Sequence, residues 1–293
     1  MDKMLKMLEG LSDHAEPETR EEILRSPFSY AGSKARSLDK ILPLLPYANT
    51  YVEPYGGSAA VLLARRPSDL EVFNDRYAGV TCFYRCLRDP ALFHKLCDRL
   101  ELVCHSREEF IWSRDTWETA DDLIERAARW YYITKYSFGS LGRNFGRATC
   151  SKARLSAIQD KLDLFSKIHQ RFKRVQVENQ DGIQCICDYD SHDVVFYIDP
   201  PYIDTDAGVY KHKMDHDDHR RLIDCIFASK GFCAVSGYSN PLYDNQPWDQ
   251  VESWPSFVSI QSVSYTASNG KEGLKGLEER SHAMECLWIK EAK

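Results

Sequence analysis

No apolar run in the 293-residue chain approaches the roughly 20 residues that a membrane-spanning helix needs. The first 25 residues carry charges throughout and lack the apolar core of a signal peptide. The ten cysteines form no CxxC pair, the usual signature of a zinc or redox site. These absences argue against a membrane protein or a secreted disulfide scaffold. We expect a cytoplasmic protein with buried free thiols and no metal.

A positive overall charge is also lacking, since the formal net charge is −6. Between residues 126 and 174, however, twelve basic residues accompany two acidic ones, which gives +10 locally and leaves −16 elsewhere. Binding a polyanion needs a positive patch, not a positive protein. This interval therefore predicts a phosphate-binding face. The alternative, a solvated basic helix face, is disfavoured by the aromatic and glycine residues within the interval.

A motif of four residues, Asp199-Pro200-Pro201-Tyr202, follows an apolar run at residues 194–198 that is typical of a buried strand. Ligands of open α/β sheets bind at the carboxyl ends of strands. The prolines stiffen the segment and leave carbonyl oxygens free, so two kinds of acceptor lie beside an aromatic ring. This arrangement suits the exocyclic amino group of a planar base and indicates an amino-directed methyltransferase. An ordinary strand-to-turn exit is the alternative.

Segments upstream of this motif have the order of a nucleotide-binding sheet. FSYAGSK at residues 28–34 precedes TYVEPYGGSA at residues 50–59, which predicts a strand, an acid and a glycine turn. A second strand, at residues 70–75, ends in Asp75, 22 positions after Glu53. Nucleotide-binding folds place an acid on a ribose hydroxyl at about this interval. Because the glycine pair lacks a full GxGxxG, the order of the segments is the stronger indication.

With these motifs in this order, the chain resembles the DNA adenine methylase (Dam-like) family of S-adenosylmethionine-dependent N6-adenine methyltransferases, over about residues 27–290. The resemblance implies an α/β fold in which a helix-rich target-recognition domain is inserted into a Rossmann-like methyltransferase sheet. It implies S-adenosylmethionine as cofactor and double-stranded DNA as partner, and leaves open a restriction endonuclease partner. One departure is Ala59, where family members often carry glycine.

The resemblance also assigns roles to single residues. Asp199 and the Pro200 carbonyl would hold the amino group of a flipped adenine, and Tyr202 would stack on the base. The nitrogen would then attack the methyl group directly, without a covalent enzyme intermediate. The cofactor site would be lined by Tyr30, Lys34, Glu53, Gly56, Asp75 and Asp199. Taken singly, most of these have ordinary alternatives: a surface lysine, helix caps for Glu53 and Asp75, and packed core for Tyr30.

The stretch at residues 136–147 follows a helix predicted at residues 123–133, and its glycines favour a loop or hairpin. Arginine and asparagine are suited to reading guanine and adenine edges. Because the stretch resembles the family's recognition loop, we expect Arg143 and Asn144 near DNA bases and Arg147 at a phosphate. The alternative is a structural loop with exposed arginines.

The chain is long enough for one large domain or two smaller ones. We predict an N-terminal extension (1–25), a catalytic S-adenosylmethionine-binding domain (26–80 and 185–293) and a DNA target-recognition domain (81–184). The last quarter of the chain is predicted to supply a helix at 219–229 and strands at 232–236, 258–265 and 285–290.

Three histidines, His212, His216 and His219, cluster after the DPPY motif. They could form a metal site, but methyl transfer needs no metal. We therefore favour a solvated or base-covering loop, in which Tyr210 would help to hold the flipped base.

Two other functions compete with DNA adenine methylation. An enzyme that methylates RNA adenine, cytosine N4 or a protein amide would use a related motif, although the basic interval argues against a small substrate. A non-catalytic DNA-binding protein could retain the fold, although it would have no chemical reason to keep Asp199, Asp75 and Lys34 together.

Overall fold

The computed structural model describes residues 23–30, 32–140, 142–147, 158–203, 213–257 and 282–293, to which all structural statements below refer. Most of the predicted N-terminal extension and the strand predicted at residues 258–265 lie outside this part of the chain. Tyr210 and His212 lie outside it as well. None of the described helices is both long and apolar enough to span a membrane.

The described residues form a sheet of seven strands whose order is β3-β2-β1-β4-β5-β7-β6. The strands β3, β2, β1, β4 and β5 pair in parallel, whereas β7 runs antiparallel to both β5 and β6. This mixed α/β sheet is consistent with a Rossmann-like methyltransferase fold. The strands are β1 (Thr50–Glu53), β2 (Leu70–Asn74), β3 (Val175–Glu178), β4 (Val194–Ile198), β5 (Phe232–Tyr238), β6 (Gln250–Phe257) and β7 (His282–Lys290).

Helices cover both faces of the sheet, as a parallel sheet requires. Five of the described helices begin at an aspartate or serine whose side chain accepts backbone N–H groups of the first turn: Asp89, Ser106, Asp122, Asp181 and Asp215. The helices are α1 (Leu38–Ile41), α2 (Ala60–Ala64), α3 (Ala78–Arg88), α4 (Pro90–Glu101), α5 (Arg107–Thr116), α6 (Leu123–Tyr136), α7 (Leu162–Phe172), α8 (Gly182–Tyr189), α9 (His216–Ala228) and α10 (Pro241–Asp244).

Two apolar cores lie on the two faces of the sheet. One contains the rings of α3, α6 and α7, where Phe83 stacks on Tyr131 with a centroid distance of 4.7 Å. The other contains α8 and α9 side chains such as Leu222, which pack with Trp288 of β7. All five side chains of β4 are buried between these cores. The continuous apolar run at residues 194–198 is thus explained by burial on both sides.

The predicted division at residues 184 and 185 does not coincide with the edge of the sheet. Strand β3 lies within residues 81–184, yet it pairs in parallel with β2, so the sheet resumes at Val175. Its four residues, VQVE, are too few to give a clear strand period. The first core also joins helices of this interval to the sheet. A separate recognition domain stays a prediction.

The partner of the last strand also differs from the prediction. Strand β7 pairs with β6 at residues 250–257, ahead of the predicted stretch at 258–265. Pro255 argues against a strand in sequence, because proline cannot donate a ladder hydrogen bond. It is tolerated here because β6 is an edge strand of the described sheet.

Candidate active site

The site lies where the strand order reverses. From β1 the chain crosses to β2 and β3 on one side and then returns to β4 on the other, so a crevice opens at the carboxyl ends of β1 and β4. Glu53 ends β1, Asp75 follows β2 and Asp199 follows β4. An open cleft of about 1080 Å³ lies at this edge.

The structure brings the predicted cofactor residues together at this cleft. Tyr30, Lys34, Glu53, Gly56, Asp75 and Asp199 all line it. Additional lining residues come from the beginnings of α8 and α9, which no sequence motif indicated: Gly182, Ile183, Asp218 and Arg221.

Lys34 lies on a short 3-10 turn and is not a surface lysine, since it is only 6% exposed. Its Nζ donates to both carboxylate oxygens of Asp199 at 2.6 Å and to the Gly32 carbonyl at 2.8 Å. Lys34 thus lines the cleft, where its role toward a cofactor stays a prediction. Its ammonium also pairs with the acid of the DPPY motif and holds that carboxylate at the crevice.

A second buried carboxylate, that of Glu285 on β7, was not predicted from the sequence. It is 4% exposed, its Oε1 lies 3.7 Å from the Lys34 Nζ, and it accepts a hydrogen bond from the Tyr202 hydroxyl. Burial raises the pKa of both Asp199 and Glu285, while Lys34 opposes the rise. The alternation of side chains along β7 could have indicated its burial, because Glu285 lies on the same face of the strand as the core residues Leu287 and Ile289.

The Tyr202 ring is fixed on several sides. It is 8% exposed, meets Tyr238 edge-on with centroids 4.7 Å apart, and has the Lys34 ammonium 4.9 Å from its centroid. Tyr202 and Pro200 line a second cavity of about 480 Å³, whereas Asp199 and Pro201 line the cleft. The motif therefore forms the wall between two cavities.

Glu53 is buried beside the glycine turn. It accepts a hydrogen bond from the Tyr51 hydroxyl at 2.8 Å. Burial raises the pKa of Glu53 to about 8, although hydrogen bonds from Tyr51 and from the Leu62 backbone oppose the rise. Leu62 lies in α2, so Glu53 also supports the start of that helix, as the capping alternative suggested.

Asp75 joins the glycine turn to the loop before α3. Its Oδ2 accepts the Gly57 N–H at 2.8 Å and its Oδ1 accepts the Tyr77 N–H at 2.7 Å. Burial raises the pKa of Asp75 to about 6. The N-cap residue of α3 is Tyr77, so the helix-cap alternative for Asp75 is wrong. Each oxygen retains a lone pair that can accept a ligand hydroxyl.

Ala59 occupies the position where the motif departs from its glycine-rich form. Its φ is +55°, in the left-handed region, and its side chain is fully buried before α2. An L-residue with a Cβ is strained there by about 1–2 kcal/mol, which glycine avoids. The turn is therefore formed in spite of the substitution.

We expect Ala59→Gly to stabilise the fold by about 0.5–1 kcal/mol, because relief of strain outweighs the added chain entropy of glycine. Urea denaturation measures this change. The matched control is Ala60→Gly in the first turn of α2, which should destabilise by about 1 kcal/mol. Equal losses in both variants would contradict the assigned strain.

The described residues of the predicted loop or hairpin at 136–147 pair as a hairpin, with an antiparallel bridge between Ser137 and Phe145. The Phe138 N–H donates to the Asn144 carbonyl and the Gly146 N–H donates to the Tyr136 carbonyl, both at 2.7 Å. Arg143, Asn144 and Arg147 are exposed, and so is the Phe138 ring, at 73%. Of the described hairpin residues, none lines the cleft.

The charge count overstates the positive surface. Arg171 pairs with the buried Glu71 and donates to the Leu62 carbonyl at 3.0 Å. Arg129 pairs with Glu125 at 3.1 Å. These cations serve packing within the protein. The exposed positive charge of this interval is thus smaller than +10 and includes the hairpin arginines.

No group of three or more metal-ligating side chains occurs in the described ranges. His219 is buried, and its Nδ1 lies 2.9 Å from the Tyr243 hydroxyl. Every cysteine in the described part of the chain is a free thiol.

Comparison with known proteins identifies the chain. The sequence model of one family, the D12 class N6 adenine-specific DNA methyltransferases, matches residues 30–268. The modification methylase LlaI of Lactococcus lactis subsp. lactis is 26% identical over 203 residues, which cover 66% of this chain and 32% of that protein. The chain thus spans about a third of the length of this curated relative. Since the family match includes the DPPY motif and every predicted cofactor residue, the chain belongs to the D12 class N6 adenine-specific DNA methyltransferase family.

Proposed function

We propose that the protein is a site-specific DNA methyltransferase that transfers a methyl group from S-adenosylmethionine to the N6 amino group of adenine in duplex DNA. One observation carries this proposal: the Asp199 carboxylate, held by the buried Lys34, lines the open cleft, and the adjoining Pro200 and Tyr202 line a second cavity. Family membership supplies the class of reaction.

The hydrogen-bonding groups of the cleft suit S-adenosylmethionine. Asp75 has lone pairs free for two ribose hydroxyls, and Glu53 lines the same cleft as a buried hydrogen-bonding carboxyl group. A side chain at Gly56 would collide with the Phe73 ring, so the turn keeps the cleft floor free of a Cβ. When bound, the cofactor supplies an electrophilic methyl group on a sulfonium.

The residues of the motif prepare the nucleophile. The N6 lone pair of adenine is delocalised into the ring, so acceptors on both N–H bonds are needed to localise it. Asp199 and the Pro200 carbonyl supply these acceptors, and the Asp199 carboxylate keeps a lone pair beyond its bonds to Lys34 and Tyr202. The same groups stabilise the positive charge that develops on nitrogen. No covalent enzyme intermediate is required.

The target base must leave the duplex to reach this wall, because its amino group is otherwise stacked and paired. The cavity beside Tyr202 would receive it. Tyr202 is already fixed by Tyr238 and Glu285, so stacking of the base on its ring would cost little ordering entropy.

A methyl-transfer assay tests the function. Labelled S-adenosylmethionine is incubated with duplex DNA, RNA and protein, and the products are digested to nucleosides. We expect label in N6-methyladenine from duplex DNA. Label confined to RNA, to N4-methylcytosine or to protein would replace the proposal with its rival, and no transfer would favour a binding protein. Sequencing of methylated DNA then gives the recognition site.

We also propose that the hairpin at residues 136–147 contacts DNA. Arg143→Ala should relax sequence preference and cost about 1–3 kcal/mol of specific binding. Arg147→Ala should weaken binding to all sequences alike and lower the salt slope by about one. Fluorescence anisotropy with cognate and non-cognate duplexes, over a range of salt, measures both effects.

Lys230 offers a matched control for the hairpin variants. It is exposed and precedes β5, so it lies at the amino ends of the strands, opposite the cleft. Lys230→Ala should leave DNA binding unchanged. If it weakens binding as much as Arg147→Ala does, the hairpin is not the preferred contact.

A further inference from the structure

The charge balance around Lys34 is unusual for a buried site. One ammonium faces two carboxylates, those of Asp199 at 2.6 Å and Glu285 at 3.7 Å. Asp199 alone neutralises Lys34, so an ionised Glu285 gives the cluster a net charge of −1. A second buried carboxylate costs free energy that a neutral glutamine would not. Stability therefore does not explain the acid at this position.

The position of Glu285 ties it to the motif. On β7 it pairs in register with Tyr238 of β5 and Trp254 of β6, which places it beside the segment that follows β4. Its carboxylate accepts the hydroxyl of Tyr202. It lies outside residues 30–268, which the family match covers. The titratable or charged groups that face it from neighbouring elements are Lys34, Tyr197, Asp199, Tyr202 and Tyr238.

We propose that Glu285 is a positioning residue for methyl transfer: it fixes the Tyr202 ring and draws part of the Lys34 charge away from Asp199. This inference rests on the proposed function. With Lys34 shared, Asp199 is a stronger acceptor for the target amino group. The net negative charge of the cluster also favours the positive charge that develops on the attacking nitrogen.

The contacts around Glu285 support this positioning role. One oxygen serves two partners, the Tyr202 hydroxyl and the Lys34 ammonium, and both of these touch the Asp199 carboxylate region. A change at Glu285 thus reaches the base-stacking ring and the acceptor together. Perturbed carboxyl groups arranged in this way are typical of catalytic sites.

The test compares the steady-state kcat and KM of methyl transfer by Glu285→Gln with those of the wild-type protein. Glutamine keeps the volume and an acceptor for the Tyr202 hydroxyl but removes the charge. We expect kcat to fall about 10- to 100-fold, while KM for cofactor and DNA stays within about twofold. Glu285→Gln mimics protonated Glu285, so the acid limb of the kcat–pH profile should also move down by about one pH unit.

Two further variants separate positioning from structural loss. Glu252→Gln, the same change at an exposed site on β6, should leave kcat and its pH profile unchanged. Tyr202→Phe removes only the hydroxyl and should lower kcat while the acid limb moves up rather than down, because the Tyr202 hydroxyl lowers the pKa of Asp199 and of Glu285. A loss of folded protein would reduce the amplitude in Glu285→Gln but leave the midpoint in place.

The outcomes distinguish this inference from the proposed function. If the wild-type protein transfers no methyl group to adenine, the proposed function fails. If the wild type is active and Glu285→Gln matches it in kcat and acid limb, the positioning role is overturned. A reduced kcat with an unshifted acid limb would also overturn it, because charge at Glu285 would then have no part in the rate.

Discussion

Asp199→Ala is expected to lower the single-turnover rate of methyl transfer by about 10³-fold or more. The substitution removes an acceptor for the target amino group and the charge that opposes Lys34 at 2.6 Å. Both losses act on the transition state, because positive charge develops on the nitrogen as it attacks. Labelled S-adenosylmethionine and a DNA duplex, followed by nucleoside analysis, give the rate.

Asp199→Ala should slow the methyl-transfer step without destabilising the fold. Glu285 remains to pair with Lys34 in Asp199→Ala, so the thermal midpoint should change little. Asp193→Ala is the matched control, because this exposed aspartate lies at the opposite end of β4 and bonds Asn49. It should retain full activity. An Asp199→Ala protein with wild-type rates would disprove the proposed mechanism.

Lys34→Met should destabilise the fold by about 3–5 kcal/mol near pH 8. Methionine has a similar length but leaves Asp199 and Glu285 buried side by side with no cation between them. Each carboxylate would then be held near the other in a poorly solvated site. Urea denaturation at several pH values measures the loss.

The pH dependence of this loss has a definite sign. Burial already raises the pKa of both acids, and removal of Lys34 raises them further. Below pH 4, near the pKa values of the unfolded chain, both carboxyl groups are protonated in the folded and in the unfolded protein. The stability lost on Lys34→Met is therefore small there. As the pH rises toward the pKa values of the folded protein, the loss of stability caused by Lys34→Met grows. A deficit that is the same at pH 5 and pH 8 would contradict a charge origin, and adding Glu285→Gln to Lys34→Met should recover part of the stability.

The part of the site that lies on parallel strands could be predicted from sequence. Glu53, Asp75 and Asp199 each end or follow a strand, and the carboxyl ends of parallel strands meet at one edge. The acid at that edge is therefore readable from local sequence. Their partners are not, because the pairing of Lys34 with Asp199 joins residues 165 positions apart.

The antiparallel end of the sheet was harder to predict. Strand β6 contains Pro255, and only its place at the edge makes that residue acceptable. Glu285 lies at an inward-facing position of β7, where alternation alone would predict an apolar side chain. An acid at such a position signals a buried partner, but the sequence does not say which one. That partner is Lys34, near the other end of the chain.

For the hairpin, the kind of local structure could be predicted from the sequence, whereas its contacts with the rest of the protein could not. Its glycines predicted a loop or hairpin, and Gly142 indeed has a φ of +70°. The exposure of Phe138 next to Arg143 and Asn144 depends on how the hairpin docks on α5, where Arg114 donates to the Arg143 carbonyl at 3.3 Å. No local sequence pattern indicates how the hairpin docks on α5.

The insertion of β7 between β5 and β6 has a consequence for the order of assembly. Lys34 and Asp199 close a loop of 165 positions, and Tyr202 and Glu285 close another of 83. Contacts of such range are slow to form, because closing the intervening loop costs entropy before the contact repays it. Helical turns such as those of α6 need no such search. During refolding, native-like helix content should therefore precede both the sheet and the charged cluster, and the chain would pass through a stage that is rich in helix yet unable to hold Asp199 in place.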